Sequence, residues 1–178
     1  MTDMPLAIDR QAPGADWPRL APAVLAVACF GVLAFALTAQ YGFGYEPCVL
    51  CTYQRAAYGA AGVVAFLAFL WRDRPARRDA LLALSGAVLL GGFAVAVYHV
   101  GVEQHWWGAA FCAAQPDAAI GTMSLADLKA QLAVKQEKPC DIVDWRFFGL
   151  SMATYNVGIF LALGAAALAA ASGRGSRR

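Results

Sequence analysis

Four long uncharged stretches divide the chain into membrane-sized segments. They are rich in Ala, Leu, Val and Phe, and they cover Leu20–Tyr45, Ala56–Trp71, Ala80–Val102 and Phe147–Gly173. A helix needs about 20 apolar residues to cross a hydrocarbon core roughly 30 Å thick. Three stretches reach that length alone, and the second reaches it if its helix begins near Pro47. The pattern predicts an all-α membrane protein, a four-transmembrane-helix bundle.

The same pattern predicts where the helices begin and end. We expect them at about residues 19–40, 47–71, 80–102 and 147–171. Together they form a single membrane domain, residues 19–171. The polar residues 1–18 contain several prolines and predict a disordered cytoplasmic tail, and residues 172–178 form a basic tail.

Residues 103–146 form a long outer loop, the one connection large enough to engage a protein partner. Apolar residues repeat within it at helical spacing, at Met123, Leu125, Leu128 and Leu132. Such a segment is too short to span and is flanked by membrane, which predicts a short helix along the surface. An ordinary solvent-facing loop helix accounts for the pattern equally well.

Composition and charge support a membrane protein and give its orientation. The chain is 60% hydrophobic and 15% charged, whereas a soluble domain carries roughly a quarter charged residues. Most basic residues flank the helices on one side: Arg10, Arg19, Arg72, Arg74, Arg77, Arg78, Arg174, Arg177 and Arg178. Because such residues stay in the cytoplasm, we expect both termini to be cytoplasmic and both remaining loops to lie outside. The arginines are better explained as topology signals than as a nucleic-acid patch, and the long first stretch favours a retained helix over a cleaved signal peptide.

The most specific motif opens the second helix. Cys48 and Cys51 are three residues apart and therefore share one helix face, with Arg55 four residues further on. Pro47 suits the first turn of a helix, where its missing N–H is no loss. The positive end of the helix dipole favours a thiolate, the form of cysteine that exchanges disulfides. The motif predicts redox chemistry at the membrane surface.

Four of the five cysteines fall on the outer side, where the bacterial compartment is oxidising and disulfides are expected: Cys48, Cys51, Cys112 and Cys140. Cys48–Cys51 is the obvious first pair, which leaves Cys112–Cys140 as the second. The simpler alternative is that both disulfides only stabilise the fold. The ring that Cys48–Cys51 closes is, however, too small to restrict the unfolded chain much. A four-cysteine zinc site is disfavoured, because the chain has one CxxC only. Cys29, inside the first helix, is predicted to be a packing residue.

Arg55 lies about two turns inside a helix that is expected to be in the bilayer. A charge there costs several kcal/mol unless it has a partner or reaches the interface. Plain snorkelling is one explanation. The other is a cation beside Cys51 that stabilises its thiolate and donates a hydrogen bond to a carbonyl acceptor from the lipid phase, for which a quinone (ubiquinone or menaquinone) is the suitable two-electron oxidant.

Two segments resemble a known family. The run from Pro47 to Arg55 resembles the PCxLCxxxR motif of the DsbB family of bacterial disulfide-bond formation proteins. Cys140 and the following residues 145–153 resemble the start of that family's fourth helix. The resemblance covers the four spans, the loop lengths and both cysteine pairs. It implies a membrane thiol:quinone oxidoreductase that serves periplasmic protein folding.

The resemblance also implies a relay. A reduced thioredoxin-fold dithiol oxidase of the DsbA type attacks the Cys112–Cys140 disulfide and forms a mixed disulfide at Cys112. The freed Cys140 attacks Cys48 and releases Cys51 as a thiolate. Cys51 then gives its electrons to bound quinone, whose carbonyl Arg55 polarises, and the Cys48–Cys51 disulfide returns.

Other polar residues stay open on sequence grounds. A histidine near the outer end of the third helix is linked to quinone binding in the family, and here His99 and His105 both occupy that region. Either histidine can equally be a hydrogen-bonded interface residue, and Glu103 can be a proton acceptor or a solvated helix end. Asn156 and Ser151 are predicted to make packing hydrogen bonds. Two alternative functions remain, a vitamin K epoxide reductase-like enzyme and a non-catalytic four-helix protein with structural disulfides.

Overall fold

The computed structural model describes residues 17–108, 112, 124, 138–143 and 145–173. Within these ranges the elements are the helices α1 (Trp17–Phe43), α2 (Val49–Leu70), α3 (Pro75–Glu103) and α4 (Met152–Ala171), and the strands β1 (Arg146–Phe147) and β2 (Leu150–Ser151). The protein is therefore mostly helical. The predicted surface helix lies outside the described residues, as do nearly all residues of the two predicted tails.

Three of the helices are long and apolar enough to cross a membrane: α1, α3 and α4. Their large apolar side chains face outward as well as inward; Val27, for example, is 73% exposed. A helix that is apolar on all sides is stable when lipid surrounds it. The described helix α2 does not meet the same measure of length and apolarity. The N-terminal half of α2 carries the polar Gln54 and Arg55.

Short connections place successive helices antiparallel, because residues 44–48 join α1 to α2 and residues 71–74 join α2 to α3. Most helix contact lies between α1 and α2, between α2 and α3, and between α3 and α4. The first and last helices meet over a smaller surface. The end of α1, the start of α2, the end of α3 and the start of α4 therefore share one end of the bundle.

Small residues allow the helices to approach closely. Ala61, Ala65 and Ala68 on α2 are fully buried, and Ser85 on α3 donates a hydrogen bond of 3.0 Å to the carbonyl of Ala61. Such contacts replace the hydrophobic driving force that lipid does not supply. Against α4, the absence of a Cβ at Gly92 leaves room for the ring of Phe160.

All four helix starts differ from the predicted ones, and α1 begins at Trp17, two residues before the predicted residue 19. Pro47 lies just before the N-cap of α2, which begins at Val49 and not at residue 47. The third helix begins at Pro75 and not at residue 80, because proline fits the first turn. The predicted fourth helix, from residue 147, is wrong at its start, where β1 and β2 form an antiparallel hairpin.

The hairpin turn explains why α4 begins late. Phe148 and Gly149 at its tip have φ values of 48° and 80°, and two consecutive positive φ values are typical of a tight hairpin turn. Ser151 then caps α4 by accepting a hydrogen bond of 3.2 Å from the backbone N–H of Thr154.

Candidate active site

Cys48 is the N-cap of α2, and Cys51 lies in the first turn. The Cys48 sulfur accepts a hydrogen bond from the backbone N–H of Cys51 at 3.4 Å. The two Sγ atoms are 3.1 Å apart, and both cysteines are thiols in this structure, whereas the sequence predicts a disulfide. The chain therefore holds a closely spaced dithiol at the positive end of a helix.

His99 on α3 faces this dithiol from across the bundle. Its Nε2 atom lies 3.6 Å from the Cys48 Sγ, and the side-chain amide nitrogen of Gln54 donates to its Nδ1 atom at 3.1 Å. Because Nδ1 accepts, a neutral ring carries its proton on Nε2, where it points to the sulfur. Gln54 and His99 are 1% and 4% exposed, so water does not compete for these bonds.

Gln54 belongs to a longer chain of buried polar groups. The Asn156 amide donates to the Gln54 side-chain oxygen at 2.7 Å, and the Tyr58 hydroxyl donates to the Asn156 oxygen at 3.4 Å. The bonds run in one direction, from Tyr58 through Asn156 and Gln54 to His99. This chain of hydrogen bonds was not predicted from the sequence. The one feature that indicates it there is the presence of two amide side chains, Gln54 and Asn156, inside apolar helices.

Glu103 completes the surroundings of His99. One carboxylate oxygen lies 3.7 Å from His99 Nε2, and the other accepts a hydrogen bond from the Ser151 hydroxyl. His105 behaves differently, because α3 ends at Glu103 and the ring is exposed beyond it. His99 and Glu103 thus line the cavity that adjoins the dithiol, and His105 does not.

The pKa of the Cys48 thiol is lowered well below its ordinary value. The main cause is the hydrogen bond from the Cys51 side chain; burial opposes it, and His99 and the Cys51 backbone N–H add to the lowering. A thiolate at Cys48 is therefore stabilised by donors that the fold already holds in place.

Arg55 reaches α1. Its guanidinium donates to the side-chain oxygen of Gln40 and, at 3.2 Å, to the backbone carbonyl of Ala36. These bonds compensate the cost of a charge inside an apolar bundle. The guanidinium also lines a cavity together with Cys51. Gln40 is a further residue that the sequence did not identify as part of the site.

Cys112 and Cys140 are joined by a disulfide, with their Cα atoms 6.1 Å apart. They form one buried cluster with Cys48, Leu50 and Val102. Cys48 is 5% exposed and Cys140 is 2% exposed. The loop disulfide therefore packs against the dithiol, at the same end of the bundle.

Two cavities meet at Cys51 and Arg55. The outer one, of about 350 Å³, is bordered by Cys48, Cys51 and His99 on one side and by Phe35 of α1 on the other. The inner one, of about 400 Å³, lies between α1, α2 and α4 and is lined mainly by apolar side chains. An apolar space with a few convergent polar groups is typical of a small-molecule site.

These features define a class of protein: a helical membrane protein with a closely spaced dithiol, a disulfide packed against it and an apolar cavity beside the dithiol. Comparison with known proteins gives the family. The sequence profile of the disulfide bond formation protein DsbB matches residues 18–170. The chain therefore belongs to the DsbB family and is an oxidoreductase that generates disulfides.

Individual relatives agree with this assignment. Disulfide bond formation protein B of Polaromonas sp. (strain JS666) is 32% identical over 149 residues, covering 82% of this chain and 86% of the relative. The protein of that name from Aromatoleum aromaticum is 32% identical over 131 residues, 72% of this chain and 77% of the relative. The one from Xanthomonas axonopodis pv. citri is 31% identical over 139 residues, with coverages of 77% and 80%. The family assignment decides against a vitamin K epoxide reductase-like enzyme and against a non-catalytic scaffold.

Proposed function

We propose that the chain takes two electrons from a reduced periplasmic protein of the DsbA type and passes them to membrane quinone. The observation that carries this proposal is the position of the Cys48–Cys51 dithiol. It lies between the Cys112–Cys140 disulfide, which packs against Cys48, and an apolar cavity bordered by Cys51 and Arg55. Electrons can therefore enter at one side of the dithiol and leave at the other.

We place four spans in the bacterial inner membrane, with both termini cytoplasmic. Helix α2 has 22 residues, about 33 Å at 1.5 Å per residue, which is enough to cross. It packs between α1 and α3, and α1 satisfies its one charge, Arg55. The Arg72–Arg78 connection lies at the opposite end from the cysteines, which favours a periplasmic dithiol. The same bonds from α1 to Arg55 favour a retained first helix.

The exchange steps on the periplasmic side balance in sulfur and electrons. A partner thiolate attacks Cys112, forms a mixed disulfide and frees Cys140. Cys140 attacks Cys48 of the resting disulfide and releases Cys51 as a thiolate. The second partner thiol then releases the oxidised partner and frees Cys112. Cys112 attacks Cys140, which restores the loop disulfide and leaves a Cys48–Cys51 dithiol.

The sulfur states of the structure correspond to that last point. The loop disulfide is closed and Cys48 and Cys51 are thiols. A thiolate at Cys48 is stabilised by Cys51 and His99, so it is ready to close the disulfide once Cys51 has given up its electrons. We infer that His99 positions and stabilises this sulfur through its Nε2–H.

The outer cavity fits a quinone ring. Its walls are apolar apart from a few groups, and its volume of about 350 Å³ suits a small ring. Arg55, one helical turn after Cys51, supplies a charged hydrogen-bond donor to the lining and is held by Gln40. A bound quinone supplies the two-electron, two-proton oxidant that the dithiol needs. The residues that would hold it are Arg55, Phe35 and Met152.

The direct test is turnover with purified full-length chain in detergent, a reduced thioredoxin-fold dithiol protein as partner and ubiquinone or menaquinone. We expect catalytic loss of partner thiols with matching quinol formation. Cys51→Ser should abolish turnover, whereas Cys29→Ala should retain it, because Cys29 is buried in the core away from the site. Turnover by Cys51→Ser, or thiol loss limited to the chain's own cysteines, would refute the relay.

A further inference from the structure

Three metal-ligating side chains converge where the reduced dithiol faces α3. The Sγ atoms of Cys48 and Cys51 and the imidazole of His99 lie within 4.8 Å of one another. The two sulfurs are 3.1 Å apart, and Cys48 Sγ is 3.6 Å from His99 Nε2. Cys48 and His99 are buried and Cys51 is half-buried, so these are not scattered surface groups.

This donor set suits zinc. Zinc binds cysteine sulfur at about 2.3 Å and histidine nitrogen at about 2.0–2.1 Å, which separates neighbouring tetrahedral ligands by roughly 3.3–3.8 Å. The Cys48–His99 separation of 3.6 Å already fits such a site, whereas the two sulfurs, 3.1 Å apart, would have to separate by about 0.7 Å. Cys51 and His99, within 4.8 Å of each other, would have to approach. Two thiolates also neutralise the dication, so the buried site gains no net charge. The four-cysteine site considered from the sequence lacks a second pair of thiols, because Cys112 and Cys140 are joined in a disulfide. His99 supplies the third ligand instead.

We propose that the reduced Cys48–Cys51 dithiol and His99 form a zinc-binding site with an open fourth position toward the outer cavity. The reaction is Zn²⁺ plus two thiols giving a zinc dithiolate plus two protons, with no electron transfer. Glu103, whose carboxylate lies 3.7 Å from His99 Nε2, faces the same position and can hold a zinc-bound water.

The hydrogen-bond chain behind His99 can adapt to the metal. Zinc on Nε2 requires a proton on Nδ1, which must then donate to an acceptor. Gln54 and Asn156 each carry a donor and an acceptor, as does the Tyr58 hydroxyl. If both amides turn over, every bond of the chain reverses and every group stays paired. Gln54 is therefore the acceptor that would orient the metal-bound imidazole.

The site predicts a redox-dependent inhibitor. Only the dithiol state offers two thiolates, so closing the Cys48–Cys51 disulfide removes two of the three ligands. Bound zinc in turn occupies both sulfurs and prevents the disulfide from closing. This inference rests on the sulfur and nitrogen geometry alone and does not depend on the electron acceptor or the partner.

The test uses the full-length chain in detergent, reduced, purified free of metal and titrated with zinc chloride against a chromophoric chelator. We expect one zinc ion per chain in the reduced state and none once Cys48–Cys51 is oxidised. Co²⁺ in place of zinc should give the intense thiolate charge-transfer and tetrahedral d–d bands of a two-sulfur site. Because neither readout measures turnover, failure here is distinguishable from failure of the proposed relay.

Variants separate this site from other thiols and histidines. Cys51→Ser should abolish zinc binding, and His99→Ala should weaken it at least tenfold, whereas His105→Ala and the double variant Cys112→Ser/Cys140→Ser should bind like the parent chain. Gln54→Leu should weaken binding about 10–100-fold, the usual effect of losing a group that orients a ligand. Binding that persists in the oxidised chain or in Cys51→Ser overturns the proposal, as does equal binding by the two histidine variants. If His99→Ala does not fold, the oxidised parent and Cys51→Ser decide the question alone.

Discussion

Gln54 on α2 donates a hydrogen bond of 3.1 Å to Nδ1 of His99 on α3, although the two residues are 45 positions apart. The bond places the imidazole proton on Nε2, facing Cys48. A glutamine of the helix that carries the dithiol thus sets the tautomer of a histidine on the neighbouring helix. The state of the ring and the reactivity of Cys48 are linked through this contact.

Replacing Gln54 by leucine should weaken both stability and thiol reactivity. Leucine leaves the Asn156 amide and His99 Nδ1 without their partner, which costs about 1–3 kcal/mol of unfolding free energy for buried groups. It also lets the ring proton move to Nδ1, so Cys48 loses a donor. Thermal unfolding in detergent and the rate of Cys48 alkylation measure the two effects. Gln104→Leu, at an exposed position just after α3, is the matched control and should change neither.

Removing the Arg55 charge should impair use of the lipid-phase oxidant without unfolding the chain. In Arg55→Met the donors to Gln40 and Ala36 are lost, but so is the cost of holding a charge inside the bundle. We expect the apparent KM for quinone to rise about tenfold or more, the effect of one charged hydrogen bond of about 1.5–3 kcal/mol. Steady-state kinetics with varied quinone measure this change. Arg146→Met removes the same charge at the same end of the bundle and should leave KM unchanged; equal effects of the two variants would remove Arg55 from the site.

The lowered pKa of Cys48 predicts how its reactivity depends on pH. A thiol of ordinary pKa is almost fully protonated at about pH 6, whereas Cys48 keeps a thiolate there because Cys51 and His99 donate to it. Alkylation of the reduced native chain by iodoacetamide should therefore continue at about pH 6, where the denatured chain reacts slowly. His99→Ala should move the rate profile toward higher pH.

The same shift has a consequence for stability. Because the pKa is lower in the folded chain, its contribution is fully present above the unfolded value and is lost as the pH falls through the folded one. The unfolding temperature of the reduced chain should therefore fall toward acid pH more than that of Cys48→Ser. Identical pH dependence in the two chains would contradict a stabilised thiolate.

Two neighbouring glycines of α3 predict opposite outcomes. A Cβ at Gly92 would collide with the ring of Phe160, which itself stacks on Tyr58 with ring centroids 4.0 Å apart. Gly92→Ala should therefore destabilise the bundle by about 1–3 kcal/mol, the usual cost of overpacking. Gly91 meets nothing within 4 Å, so Gly91→Ala should be neutral or stabilising by up to about 1 kcal/mol. Thermal unfolding of the two variants side by side measures the difference.

The sequence predicted the helical class and the pairing of Cys48 with Cys51 because both signals are local. An uncharged stretch or a CxxC–arginine motif is complete within a few turns. The hairpin at β1 and β2 was missed because its apolar residues, Phe147, Phe148 and Leu150, continue the pattern of the following helix. Only the glycine at 149 marked a turn.

Contacts between distant segments could not be predicted in the same way. The choice between His99 and His105 depends on where α3 ends, which is a tertiary outcome: His99 stays on the helix face toward α2, and His105 leaves the helix with a φ of 58°. The Gln54–Asn156 bond joins positions 102 residues apart. The sequence shows that Asn156 is a polar residue within an apolar helix, but it does not show that Gln54 is its hydrogen-bond partner.

The small contact surface between α1 and α4 has a consequence for how the oxidant reaches the dithiol. Because the inner cavity is lined by residues of both helices and also by Cys51, we expect the oxidant to arrive from the bilayer between α1 and α4. The reducing protein is expected to arrive from water at the loop disulfide. The oxidant and the reducing protein can therefore bind at the same time. A disulfide between cysteines introduced at Phe35 and Met152 would block the access of the oxidant from the bilayer. It would leave the access of the partner protein from water unchanged.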